Sequence, residues 1–180
     1  HTQCVHIVVW SPCGQFLAFG TTNDSVQIWS FDTATCKGQE VVEFKGHFAW
    51  VNCVAWSPCG RFLASGSNDE TVRIWSFDSA THQCEEIVKF EGHTNYIMSV
   101  VWSPCGQYLA SGSSDNTIRI WNFDSKTSQS KEVVQLQSHT YWVSSVAWSP
   151  CGRFLASGSY ETVRIWSFNI CTGQGKEVAK

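Results

Sequence analysis

The chain has 180 residues, 43% of them hydrophobic, with ten Trp and a formal net charge of −3. That is ample material for a core, and so slight an acidity gives no global attraction to nucleic acid or an anionic membrane. No apolar run approaches the roughly 18 residues that a membrane-spanning helix needs, and no basic leader followed by an apolar segment marks a secretory signal. Neither nucleic acid nor membrane is therefore an expected partner.

In chain order, Cys4–Trp10 (CVHIVVW) reads as a first strand, apolar on both faces and so expected to be covered on both sides. Pro12-Cys13-Gly14 makes a tight turn, with Pro presetting φ and Gly accepting φ > 0. Phe16–Phe19 is the second strand, Thr21–Ser25 a polar turn and Val26–Phe31 the third strand. After the Asp32–Gly38 connection, Glu40–Phe44 makes a fourth, more exposed strand.

The cycle then restarts at His47, His93 and His139. Trp-Ser-Pro-Cys-Gly recurs at Trp10–Gly14, Trp56–Gly60, Trp102–Gly106 and Trp148–Gly152, always 46 residues apart. The Ile-Trp pair recurs at Ile28/Trp29, Ile74/Trp75, Ile120/Trp121 and Ile165/Trp166, with a last step of 45. A fixed period of this size is the signature of a repeat architecture, in which each unit buries its faces against its neighbours. The units are 1–46, 47–92, 93–138 and 139–180, one array with no linker or second domain.

Nine cysteines are an odd count, and Cys13, Cys59, Cys105 and Cys151 fill one repeated turn position. Equivalent positions on successive units should lie beyond the roughly 7 Å Cα limit for a disulfide. They read as reduced thiols of a cytoplasmic or otherwise intracellular protein.

Gly46-His47, Val54-Ala55-Trp56-Ser57-Pro58, Leu63-Ala64-Ser65-Gly66-Ser67, Asp69 and Ile74-Trp75 together resemble one WD repeat. Four copies span essentially the whole chain. The resemblance implies an all-β fold, a β-propeller of four-stranded antiparallel blades that binds other macromolecules. It also implies that His47, Ser65, Asp69 and Trp75 form a buried hydrogen-bond tetrad, repeated as His93, Ser111, Asp115 and Trp121. A buried indole N–H needs an acceptor, a hydroxyl bridges, and an Asp orients a His. In unit one Phe19 and Asn23 replace the Ser and Asp, and in unit four the turn is one residue shorter, at Ser159-Tyr160-Glu161. Ser30, Ser76, Asn122 and Ser167 stand where the family's eponymous Asp follows the Trp.

A Ser-His-Asp hydrolase would use the same residue types. Against it, Ser65 lies in a strand rather than a G-x-S-x-G elbow, and the set repeats, as a structural element does. His1, Cys4 and His6 are close in sequence but offer no fourth ligand, so neither metal nor cofactor is expected. Arg73, Arg119 and Arg164 share one third-strand position and are expected to be solvated or paired. No phosphate-binding loop or paired-carboxylate motif appears.

By resemblance, the partner-binding face carries the loop after each Gly-His and the turn before each Asp. That face holds Cys4, Trp50, Tyr96 and Trp142, then His6, Asn52, Met98 and Ser144, with Thr22, Asn68, Ser114 and Tyr160 from the turns. Aromatic and Met side chains among polar groups suit a peptide or protein hot spot. The expected function is a non-catalytic protein-interaction scaffold. The alternatives are a self-assembling module, recently amplified or engineered, without a dedicated partner, and a hydrolytic or metal-dependent enzyme.

Four blades are at the low end for propellers, and WD-repeat rings commonly close with seven or eight. An open arc would expose Val5, Ile7 and Val9, or Val8 and Trp10, at one end and Val143, Val146 and Trp148 at the other. The expectation is a homodimer forming one eight-bladed propeller, with a monomeric four-bladed ring as the alternative.

Overall fold

The structure is a computed structural model that describes residues 4–137 and 139–180. Blade one comprises β1 (Val5–Trp10), β2 (Phe16–Thr21), β3 (Ser25–Asp32) and β4 (Lys37–Lys45). Blade two comprises β5 (Val51–Trp56), β6 (Phe62–Ser67), β7 (Val72–Phe77) and β8 (Cys84–Phe90). Blade three comprises β9 (Ile97–Trp102), β10 (Tyr108–Ser113), β11 (Thr117–Phe123) and β12 (Ser130–Gln137). Blade four comprises β13 (Ser145–Trp148), β14 (Phe154–Gly158), β15 (Val163–Asn169) and β16 (Gln174–Ala179).

Each blade is a four-stranded antiparallel sheet whose strands pair in chain order. The Trp-Ser-Pro-Cys-Gly turn joins its first two strands. Gly14, Gly60, Gly106 and Gly152 take φ of 69° to 72°, which the missing Cβ permits. Ser11 ties the turn down: its carbonyl accepts the Gly14 N–H at 2.9 Å and its Oγ the Phe16 N–H at 3.1 Å.

The strands alternate so that one face of each blade meets the blade before it and the other the blade after. Three core clusters fill the three joints. Between blades one and two, Ala18, Val26 and Ile28 pack on Val54, Trp56 and Leu63. Between two and three, Ala64, Val72 and Ile74 pack on Val100, Trp102 and Leu109. Between three and four, Ala110, Ile118 and Ile120 pack on Val146 and Leu155.

Among the described residues no core cluster, hydrogen bond or ring contact joins blade four to blade one, and the arc is open. The first strand therefore departs from the expected cover on both sides: Val5, Val8 and Trp10 are exposed. A register shift between Val5 and Ile7 puts Val5 out of simple alternation, while Ile7 and Val9 pack toward blade two. At the other end the expected surface is corrected. Val143 and Val146 are buried against blade three. The open face of blade four comes instead from Phe154 of β14 and Val163 of β15. In blade four Val143, Val146 and Trp148 face back toward blade three, and the next two strands supply the forward face.

Candidate functional site

The two inner blades assemble the four sequence-singled residues into one hydrogen-bonded chain. In blade two, Trp75 Nε1–H donates to Ser65 Oγ at 2.8 Å, and Ser65 Oγ lies 2.7 Å from His47 Nε2. His47 Nδ1 lies 2.8 Å from Asp69 Oδ2. Blade three repeats this through Trp121, Ser111, His93 and Asp115 at 2.9, 2.8 and 2.7 Å. The consistent proton order is indole N–H to hydroxyl, hydroxyl to Nε2, and Nδ1–H to carboxylate.

Burial holds His47 below its ordinary value and hence neutral, against the pull of Asp69. Burial alone would raise Asp69, but hydrogen bonds from His47 and Thr71 outweigh it and keep the carboxyl well below the usual range. The carboxylate also accepts the Phe48 N–H at 3.1 Å, anchoring the loop that follows the His.

Sequence reading missed the threonine. Thr71 Oγ1 donates to Asp69 Oδ1 at 2.6 Å, and Thr117 does the same to Asp115 at 2.7 Å. Its signal was available, because Thr71, Thr117 and Thr162 recur in step with the repeat. In blade four the carboxylate is missing, and Thr162 Oγ1 lies 3.2 Å from His139 Nδ1, as Thr71 and Thr117 lie 3.4 and 3.3 Å from theirs. In blade one, the Trp29 indole reaches Gln27 Oε1 at 3.4 Å instead. His1 and the blade-one network that it would close lie outside the described residues.

The arrangement cannot work as a hydrolase. Ser65 and Ser111 are completely buried, with each hydroxyl wedged between an imidazole and an indole. No acyl carbon can reach either. Among the described residues no group of three or more His, Cys, Asp or Glu is placed to hold a metal ion. Arg73, Arg119 and Arg164 are each engaged by a fourth-strand glutamate, namely Glu86, Glu132 and Glu177. The sequence had not named those partners, although the glutamates recur with the arginines.

The tetrads hold up the surface beside them. Asn68 N–H donates to the Trp50 carbonyl at 2.9 Å and Ser114 N–H to the Tyr96 carbonyl at 2.8 Å. Ser67 Oγ and Ser113 Oγ bind the carbonyls of Ala49 and Asn95 at 2.8 and 3.0 Å. The loops after His47, His93 and His139 are thus hydrogen-bonded to the second turn of their blades, at the end opposite the cysteine turns.

Trp50, Tyr96, Trp142 and Tyr160 are exposed there, as are Cys4, His6 and Ser144. The His6 ring stacks near Trp50, with centroids 5.9 Å apart. Asn52 is less available than its sequence position suggests, since its amide donates to Asn68 Oδ1 at 2.7 Å and to the Ile97 carbonyl at 2.9 Å. Met98 is half-buried. Two further aromatics belong to the same surface: Phe48, beneath which the Arg73 guanidinium lies 5.7 Å from the ring centroid, and Tyr141, 5.8 Å from Tyr160. Both follow a repeated His by one or two residues, which would have located them.

Residues 1–30, 38–76, 84–122 and 130–167 each match the family described as WD domain, G-beta repeat. The chain belongs to the WD-repeat family. This WD-repeat chain superimposes on a chain of the crystal structure of the mitotic checkpoint complex with a TM-score of 0.77 and 29% identity. The match covers 98% of this chain and 51% of that one. A 46-residue stretch is 41% identical to WD repeat and HMG-box DNA-binding protein 1 of mouse and of human. It covers 26% of this chain and 4% of those relatives, so the WD-repeat chain accounts for a small part of their length. WD-repeat propellers are typically interaction scaffolds without catalytic activity. Among the described residues of this one, no helix is long and apolar enough to cross a membrane.

Proposed function

We propose that the chain is a non-catalytic scaffold that docks a peptide or protein segment on the face carrying Trp50, Tyr96 and Trp142. The observation that carries this reading is the cluster of exposed aromatics on loops whose backbones the tetrads and turn hydrogen bonds hold rigid. Large rings fixed at low entropic cost are what protein hot spots use. His6, Asn52, Met98, Ser144, Cys4 and Tyr160 supply the polar and adaptable margin. In this reading a second copy of the chain completes an eight-bladed ring, and nine free thiols suit a reducing intracellular compartment.

The test is selection of binders from a displayed random-peptide library, followed by titration against variants. Trp50→Ala, Tyr96→Ala and Trp142→Ala should each weaken binding by about tenfold or more, equivalent to roughly 1.4 kcal/mol. Cys59→Ser, on the opposite turns, should leave it unchanged. Peptides that lose affinity with Cys59→Ser and keep it with all three aromatic variants would place docking on the other face.

A further inference from the structure

The three joints inside the chain are built by the same contacts, repeated in one direction. Val51 sits against Gly20, Ile97 against Gly66 and Val143 against Gly112, so closely that a Cβ on any of these glycines would meet the side chain at 2.5–2.7 Å. At the other end of each joint Pro12 faces Gly60, Pro58 faces Gly106 and Pro104 faces Gly152, where a Cβ on each glycine would lie 3.7 Å from the proline Cδ. Between them an aromatic pair crosses edge to face, with centroids 5.0 Å apart: Phe16–Phe77, Phe62–Phe123 and Tyr108–Phe168.

One complete set of these halves is left over, divided between the two ends. Val5, the counterpart of the three buried knobs, is 49% exposed. Gly158, the counterpart of their sockets, has nothing nearer to its open side than Ser145 of its own blade at 3.9 Å. Nothing lies within 4 Å of the space beside Gly14, while Pro150 is exposed. Phe154 is exposed, and Phe31 already touches Trp10 at 5.7 Å, as Phe77 touches Trp56 at 5.6 Å. Trp29, the counterpart of the indole buried in the first joint, is 36% exposed where Trp75 is 3%.

We infer that blade four of one chain receives blade one of a second copy in the register of the internal joints. Val5 of the second copy seats on Gly158, Pro150 on the second copy's Gly14, and Phe154 edge-on to its Phe31. The occupant is this chain because knob, socket and aromatic partner are all its own and match an interface that it already makes three times. The contact is heterologous, and two of them close a two-fold ring. A second copy's length also corresponds to the portion of the checkpoint-complex chain that the first leaves unmatched. This inference deepens the proposed ring by giving its register.

The experiment is molar mass by sedimentation equilibrium over a dilution series of the full chain. The expected mass is twice 20.2 kDa. Gly158→Phe and Val5→Asp should each return it to 20.2 kDa with an unchanged far-ultraviolet spectrum, since both positions are open within one chain. Trp50→Ala should stay dimeric. A wild-type mass of 20.2 kDa throughout would overturn the ring and the inference together, leaving further blades from elsewhere as the occupant. A mass growing without limit with concentration would overturn closure by two copies. A dimer that both variants leave intact would overturn the register alone.

Discussion

Thr162 Oγ1 stands 3.2 Å from His139 Nδ1, much as Thr71 and Thr117 stand 3.4 and 3.3 Å from their imidazoles, but without the carboxylate that the two inner blades add. The shorter turn of blade four keeps the imidazole partnered but gives it a neutral acceptor. Blade one has Asn23 at the equivalent position. The described networks are thus graded, from a neutral partner in blade four to a carboxylate in the two inner blades.

That grading predicts graded mutational costs. Asp69→Ala or Asp115→Ala should leave a buried imidazole and a loop N–H without their acceptor. Each should cost about 1–3 kcal/mol of unfolding free energy. Asn23→Ala should cost less. Chemical denaturation that gave equal losses in blades one and two would contradict a structural role for the carboxylates.

Acid should weaken the fold in two stages. His47 is held below its ordinary value of 6.5 by burial, so unfolding takes up a proton once the pH drops below about 6.5. Burial holds His139 below 6.5 in the same sense. Asp69, held below 3.8, contributes stability that is complete above 3.8 and is lost as the pH falls further. The Tm should be level between about pH 7 and 8, decline below about 6.5, and fall more steeply below about 4. A Tm unchanged from pH 7 to pH 5 would mean that the histidines titrate alike in the folded and unfolded chain, against their burial.

The tight knob-and-socket joints should show strong pairwise coupling. Gly66→Ala places a methyl 2.5 Å from Ile97 Cγ2 and should cost about 1–3 kcal/mol by overpacking. Ile97→Ala alone leaves a cavity and should cost about 2–5 kcal/mol. The double variant should be less destabilised than the two losses added, by at least about 0.5 kcal/mol. Simple additivity across this cycle would mean that the two residues do not share a packed joint.

Thiol chemistry should separate the cysteines by environment. The Cys151 thiol comes down to about 7, chiefly because Ser149 Oγ lies 3.3 Å away, with help from the Arg153 backbone and side chain. Burial pushes Cys53 up to about 12. Alkylation by iodoacetamide at neutral pH, read by peptide mass spectrometry, should modify Cys151 first and Cys53 only on unfolding. Equal rates at the two sites would contradict both environments.

The repeat made most of the fold legible in the sequence. Every strand of the first unit lies within a few residues of where the apolar runs put it, because turn and strand chemistry repeat with a fixed spacing. The residues of the inner tetrads were legible for the same reason. The face directions were not: alternation offered two choices for β1, and the register shift at Val5/Ile7 decided between them. The open surface of blade four was misassigned because period alone does not say whether an inner strand leans forward or back. Asn52 looked like a contact residue until the carbonyl of Ile97, 45 positions away, appeared beside its amide. Such long-range partners leave no local trace.

The strands of all four sheets pair in the order in which they are made. A blade's backbone ladder is therefore complete as soon as its own segment has left the ribosome, with no strand owed to a later part of the chain. Its apolar forward face is not, and must wait one further period, the time needed to synthesise the next inner strand. Each new blade shields its predecessor and exposes itself, so the aggregation-prone surface moves along the nascent chain instead of accumulating. Of the four such surfaces the one on blade four is covered by none of the other blades.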